Sequence, residues 1–117
     1  MTTTPLDIRY QVRFEGDPPV GHLEFFGAAC IALTGYTADE IMADPQRWME
    51  AIHPDDRDQL IHSTSQMLLT GQSDVRIYRI RHRDSADYRR VEDVVIIATS
   101  ADGSVTGYSA TVTEQNL

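Results

Sequence analysis

The chain has 117 residues, of which 41% are hydrophobic, so it is the size of one globular domain and too apolar to be disordered. Its ten basic and eighteen acidic residues give a net charge of −8, which argues against nucleic acid and anionic membranes as partners. Cys30 is the single cysteine and cannot form an internal disulfide. Because the sequence lacks both a signal peptide and an apolar run of roughly twenty residues, we expect a cytoplasmic protein without direct membrane contact.

The chain begins with two predicted strands. Apolar and polar residues alternate strictly from Asp7 to Phe14, which is typical of a strand with one buried face. A turn that contains Pro18 and Pro19 follows, and residues 20–26 predict a second strand. We expect the two strands to pair antiparallel.

The apolar period then lengthens to the helical range. Short helices are predicted over residues 28–33, after a capping box at residues 37–40, and after Asp44. Pro54 suits the first position of a longer helix, and Gly71 can end it in the left-handed conformation. Along this helix we expect one apolar face, made of Leu60, Ile61, Thr64, Met67 and Leu68.

Three strands are predicted in the last third of the chain, over residues 75–81, 88–99 and 105–113. Residues 94–97 are apolar on both faces, as in a central strand. Six arginines between residues 76 and 90 form a basic cluster, which we interpret as a solvated strand face. The order of elements predicts an α+β domain: a five-stranded antiparallel sheet with short helices and one longer helix packed on one face.

The expected domain organisation is simple. Residues 1–6 are predicted to be a disordered leader, residues 7–114 a single domain, and residues 115–117 the start of a linker to an output domain.

Several motifs occur in a fixed order and spacing along the chain. They are Leu33 to Ile41, Trp48, Ile52 to Arg57, Tyr78 to Arg81, Tyr88 to Asp93, and Asp102 to Tyr108. With them the sequence resembles a PAS domain, most closely the PAS fold-3 type that is also called a sensory box. The sequence departs from the family pattern at Arg90, where a tryptophan is common, and in the hairpin at residues 83–87, which lacks the usual glycine.

The resemblance implies a PAS fold and a sensory or regulatory role in bacterial signal transduction, as in two-component systems. It implies a homodimer, formed through the N-terminal segment or the outer sheet face, and an attached output domain such as a histidine kinase or a cyclic-dinucleotide enzyme. It also implies that Thr111, Val112 and Thr113 transmit the signal, although Thr111 stands where the family usually has an aspartate.

The sequence identifies no cofactor, and it argues against a covalent flavin site and against haem. A covalent flavin site would need a reactive cysteine near residues 44–52, and none is there, whereas Cys30 is expected to be a small buried residue. Haem would need an inward histidine, but His22, His62 and His82 are each expected to face solvent, so we disfavour haem.

Catalysis and metal binding are not expected. Two adjacent helical carboxylates diverge, so Asp55 and Asp56 do not complete a metal site with His53. No serine lies in a nucleophile motif and no glycine cluster precedes a helix, so we expect no enzyme activity.

A small organic ligand is expected to bind between the sheet and the helices, if it binds at all. The candidate cavity residues are Trp48, Ile52, Leu60, Met67, Tyr78, Ile80 and Tyr108. Three alternatives remain open: these residues fill a dry core, the domain is a ligand-free dimerisation or adaptor module, or the chain is a small α+β cone-fold enzyme for a hydrophobic substrate. Such enzymes generally begin with their long helices, whereas this chain begins with strands.

Overall fold

The computed structural model describes residues 8–16, 20–26 and 29–114. The predicted leader at residues 1–6, the prolines at positions 18 and 19, and the predicted linker at residues 115–117 lie outside the described residues. In the described part, no helix has the length and apolar character needed to cross a membrane.

The order of elements is the predicted one, and the prediction of an α+β domain is confirmed. The elements are β1 (Ile8–Glu15), β2 (Val20–Phe26), α1 (Ala29–Thr34), α2 (Ala38–Ala43), α3 (Gln46–Ala51), α4 (Pro54–Thr70), β3 (Asp74–Ile80), β4 (Arg89–Thr99) and β5 (Val105–Glu114). The strands form one five-stranded antiparallel sheet in the order β2-β1-β5-β4-β3.

Local hydrogen bonds set the ends of the helices as the sequence predicts. The Thr37 hydroxyl accepts from the Glu40 amide and the Glu40 carboxylate accepts from the Thr37 amide, both at 3.1 Å, which completes the capping box of α2. Pro54 opens α4, and the ring of His53 accepts from the Asp55 amide at 3.1 Å. Gly71 ends α4 with a φ of 72°.

The start of α4 is tied to β3 by a bidentate ion pair. The Asp56 carboxylate accepts from the Arg79 guanidinium, through Nε at 3.0 Å and Nη2 at 2.9 Å, and from the Arg79 amide at 2.9 Å. The hydrogen bonds from the Arg79 side chain are the largest cause of the lowered pKa of Asp56. This pair fixes where the longest helix meets the sheet.

The core lies between the helices and the inner face of the sheet. Ile8, Val91, Val95 and Val112 point inward from their strands and are fully or almost fully buried. The opposite, outer sheet face bears Val75, Ile77 and Ile96, all of them exposed.

β4 is an interior strand of the sheet, as expected from the apolar residues 94–97, but its two faces differ in burial. Ile96 is 60% exposed although β4 is hydrogen-bonded on both edges, because the helices cover the other face of the sheet.

The backbone of β1 lies close to β5 at Gly107. A Cβ atom at this buried position would lie 2.2 Å from the backbone oxygen of Val12. The pairing of β1 with the central strand β5 thus requires a residue without a side chain here.

We expect Gly107→Ala to lower the free energy of unfolding by about 2 kcal/mol or more, because the added methyl group forces the β1 and β5 backbones apart. Urea unfolding followed by circular dichroism measures this. Ser109→Ala, at an exposed position of the same strand, should change stability by about 0.5 kcal/mol or less. Equal stability of the two variants would contradict the close contact.

The Asp56 ion pair predicts a pH dependence. The folded pKa of Asp56 is lowered, so its contribution is fully present above the unfolded value of about 3.9 and is lost as the pH falls through the folded value. We therefore expect Asp56→Asn to destabilise the protein by about 1–3 kcal/mol at pH 7, and by less at pH 3.

Urea unfolding at the two pH values is the measurement, with Asp55→Asn as the control. The Asp55 side chain is 79% exposed, so its removal should cost about 0.5 kcal/mol or less. A stability difference between wild type and Asp56→Asn that does not shrink at low pH would contradict the assignment.

Candidate functional site

A cavity of about 330 Å³ lies between the inner sheet face and helices α3 and α4. Its wall is mostly apolar, with Val12 and Leu23 from β1 and β2, and Met49 from α3. On α4, Ile61 lines the cavity while being 54% exposed, so the predicted apolar face of that helix is only partly covered. Ile61 and the exposed Ser65 place one side of the cavity next to solvent.

Five of the seven residues predicted from the sequence line this cavity: Trp48, Ile52, Leu60, Tyr78 and Tyr108. Met67 and Ile80 do not, although both are buried. Met67 lies two helical turns beyond Leu60 along α4, and Ile80 pairs with Ile52 in an isolated β-bridge. The role of these residues in ligand binding stays a prediction.

A buried carboxylate forms the polar end of the cavity. One oxygen of Asp93, Oδ2, accepts hydrogen bonds from the Tyr10 hydroxyl at 2.7 Å, the Tyr78 hydroxyl at 3.0 Å and Arg76 Nη2 at 3.0 Å. The Asp93 side chain is 1% exposed, and all four residues line the cavity. Three strands thus contribute to one polar cluster.

Arg76 connects this cluster to α4. Its Nη1 donates to the Thr64 hydroxyl at 2.7 Å, and its Nη2 also donates to the Tyr10 hydroxyl at 2.9 Å. Its side chain is only 10% exposed. The interpretation of the arginine cluster as a solvated strand face is therefore wrong for Arg76. Arg76 lies two positions before the buried Tyr78 in β3, so both side chains point to the inner face of the sheet.

Sequence reasoning missed this cluster, although a signal was present. Arg76, Tyr78 and Ile80 occupy every second position of β3, and Val91, Asp93 and Val95 do the same in β4. A charged residue at the inward position of each of two neighbouring strands indicates a buried ion pair.

The sequence matches the profile of the PAS fold family PAS_3 over residues 24–112. The chain belongs to the PAS family. No curated protein matches the sequence at a significant level.

Solved structures show the same fold. The N-terminal domain of a diguanylate cyclase with a PAS/PAC sensor from Marinobacter aquaeolei is 18% identical, with a TM-score of 0.67 over 91% of this chain and 94% of that chain. A light-oxygen-voltage domain studied with a flavin analogue is 12% identical, with a TM-score of 0.69 over 94% and 78% of the two chains. A sensory box histidine kinase/response regulator from Burkholderia thailandensis is 19% identical, with a TM-score of 0.63 over 92% and 76%.

Burial controls the protonation of the cluster in this PAS domain. Removal from water raises the pKa of Tyr10 and of Tyr78 well above the usual tyrosine value, and the Asp93 carboxylate raises both further, so both hydroxyls stay neutral donors. Burial opposes the charge on Arg76, but the Tyr10 and Asp93 oxygens outweigh this effect and raise its pKa. The cluster is therefore an arginine–aspartate ion pair held by two neutral phenols.

The thiol and the imidazoles of this PAS domain lie away from the cavity wall. Cys30 is buried on α1, as expected, and burial raises its pKa to about 11, which disfavours the reactive thiolate. His22 and His62 are exposed and His82 is half-buried beside the β3–β4 hairpin. Within the described ranges, no three His, Cys, Asp or Glu side chains are grouped so that they could hold a metal ion.

We expect Arg76→Met to destabilise the domain by about 3–5 kcal/mol, because it leaves the buried Asp93 carboxylate without its cation. The double variant Arg76→Met/Asp93→Asn should recover part of this loss, since the amide oxygen still accepts from the tyrosines and carries no charge. Thermal or urea unfolding of both variants tests the pair.

Arg90→Met, at an exposed position of β4, provides the matched control and should cost about 0.5 kcal/mol or less. The single variant Asp93→Asn completes the comparison. If Asp93→Asn lowers the free energy of unfolding as much in the Arg76→Met background as in wild type, the two side chains act independently.

Proposed function

We propose that this PAS domain is a sensory module whose signal is a small molecule bound in the cavity, and that binding regulates an attached output domain. The observation that carries the proposal is a cavity of about 330 Å³ that is mostly apolar and ends at the Arg76–Asp93 ion pair. An apolar pocket with a few convergent polar groups is the usual form of a small-molecule site.

The register of the sheet supports a route from the cavity to the end of β5. Asp93 lies directly opposite Val112, and Val112 lies opposite Ile8 on β1. A ligand that moves Asp93 would therefore displace the middle residue of the predicted transmission segment Thr111, Val112 and Thr113. Such a signal requires that the ligand favour one arrangement by about 1–3 kcal/mol.

The proposed output is a histidine kinase or a cyclic-dinucleotide enzyme. Two structural neighbours support this choice, because one is the sensor domain of a diguanylate cyclase and another is a sensory box histidine kinase. We propose binding rather than catalysis for the domain itself, because PAS domains are generally sensory. The strand-first order of elements also counts against a cone-fold enzyme.

We expect Met49→Trp to abolish ligand binding, because the larger side chain occupies the cavity. Met42→Trp is the matched control, since Met42 is also a half-buried methionine and packs on the core outside the cavity wall. A fragment library is screened against ¹⁵N-labelled protein, and native mass spectrometry reports any retained molecule.

Fragments that shift the amide resonances of cavity residues in wild type and Met42→Trp, but not in Met49→Trp, would support the proposal. Fragments that bind Met49→Trp as tightly as wild type would contradict it.

A second candidate is a homodimerisation or adaptor role. The exposed side chains of Val75, Ile77 and Ile96 on the outer sheet face favour it, because contiguous exposed apolar surface marks interaction sites. Beside Ile96 lies a groove of about 580 Å³ that also reaches Thr111. We therefore propose the outer sheet face as the self-association surface.

We expect Ile96→Lys to convert a dimer to a monomer, because a charge on this face cannot be buried in an interface without a partner. Size-exclusion chromatography with light scattering gives the mass. Leu69→Lys is the control, since Leu69 is 79% exposed but lies on α4. A dimer that survives Ile96→Lys, or a wild-type monomer, would rule out this surface.

A further inference from the structure

Only one of the two Asp93 carboxylate oxygens accepts a hydrogen bond from the described residues. Its Oδ2 atom accepts three hydrogen bonds, whereas its buried Oδ1 atom has no donor among the described residues. A buried carboxylate oxygen without a donor is costly and rare in native structures. Asp93 lines the cavity, but Oδ1 has almost no accessible surface, so a molecule in the cavity can supply the missing donor once a side-chain shift uncovers this atom.

Arg76, the ion-pair partner of Asp93, also has a buried polar atom without a hydrogen bond. Arg76 uses Nη1 and Nη2 in hydrogen bonds, but its buried Nε atom has no acceptor in the part of the chain that the structure describes. The buried ion pair at the polar end of the cavity thus has one unused acceptor and one unused donor. A hydroxyl or carboxamide group provides both a donor and an acceptor and matches this pair.

The charges of the polar cluster further limit which ligands can bind. Arg76 and Asp93 already neutralise each other, and the tyrosines that surround them, Tyr10 and Tyr78, are uncharged. A charged ligand would be attracted by one member of this pair and repelled by the other, so its charge would lose its hydration without a net electrostatic gain. The remaining wall, which includes Leu23 and Leu60, suits an apolar body.

We propose that the ligand is an uncharged, largely apolar molecule that carries a hydroxyl or carboxamide group and donates a hydrogen bond from it to Asp93 Oδ1. This inference rests on the proposed ligand-binding function and specifies its chemistry. Asp93 is then the residue that selects the ligand, and Arg76 and the two tyrosines hold its carboxylate in position.

Three probes with one carbon skeleton test this: 1-phenylethanol, acetophenone and 1-phenylethylamine. They present a neutral donor, an acceptor alone and a cation, respectively. Dissociation constants come from titrations of ¹⁵N-labelled wild-type protein, followed at the amides of cavity residues. We expect 1-phenylethanol to bind roughly tenfold to a hundredfold more tightly than either other probe, as for one hydrogen bond to a charged acceptor.

Asp93→Asn provides a reversal test. Because the tyrosines and Arg76 all donate to Oδ2, the asparagine carbonyl takes that position and its NH₂ group replaces Oδ1. The unused acceptor becomes a donor, so acetophenone should gain affinity relative to 1-phenylethanol. The control Asp58→Asn, at an exposed position of α4, should keep the wild-type preference.

The outcomes distinguish the proposed ligand class from the proposal that the cavity binds a ligand at all. Equal affinity of the alcohol and the ketone for wild type, as expected if water occupies Oδ1, would overturn the ligand class and leave the cavity as a binding site. Tightest binding of the ammonium probe would also overturn it. If no probe shifts the cavity amides, both the ligand class and the proposed ligand-binding function are overturned. Should Asp93→Asn not fold, the wild-type comparison decides alone.

Discussion

The ion pair between Arg76 and Asp93 organises the interior of this domain. It joins adjacent strands β3 and β4, reaches β1 through the Tyr10 hydroxyl, and reaches α4 through the Thr64 hydroxyl. A charge buried to this degree is tolerated only with a partner and further hydrogen bonds, so each member depends on the others. The same contacts keep α4 at a set position over the sheet and close the polar end of the cavity.

In the part of the chain that the structure describes, the helices cover only one face of the sheet, so the two faces have different chemistry. The inner face forms the core and the cavity, while the outer face exposes Ile77 and Ile96. Successive residues of a strand point to opposite faces, so β5 takes part in both: Tyr108 lines the cavity and Thr111 lines the outer groove. A change in the cavity therefore needs to pass through only one layer of backbone to reach the outer face.

Membership of the PAS family fixes the expected architecture but not the ligand, because one fold supports many sites. The individual chemistry of this chain lies in the polar cluster. Cys30 is buried with a raised pKa and lies on α1, away from the cavity wall, so the distinguishing groups are the Asp93 carboxylate and the Arg76 guanidinium. Selection by hydrogen bonding to a buried acceptor is more demanding than selection by apolar shape, since a mismatched ligand leaves that acceptor unpaired.

The sequence by itself determined the order of elements, the helix ends and the one-sided α+β architecture, because capping residues, a proline at the helix start and strand alternation act over a few neighbouring positions. Of the seven candidate residues predicted from the sequence, five line the cavity. Only the tertiary structure decided that Arg76 is buried against Asp93, that Ile96 is exposed, and that Met67 and Ile80 lie outside the cavity wall. These outcomes depend on which elements cover which face and on contacts between residues far apart in the chain. The alternation along β3 and β4 indicates that Arg76 and Asp93 point inward, but it does not show which other side chains they contact.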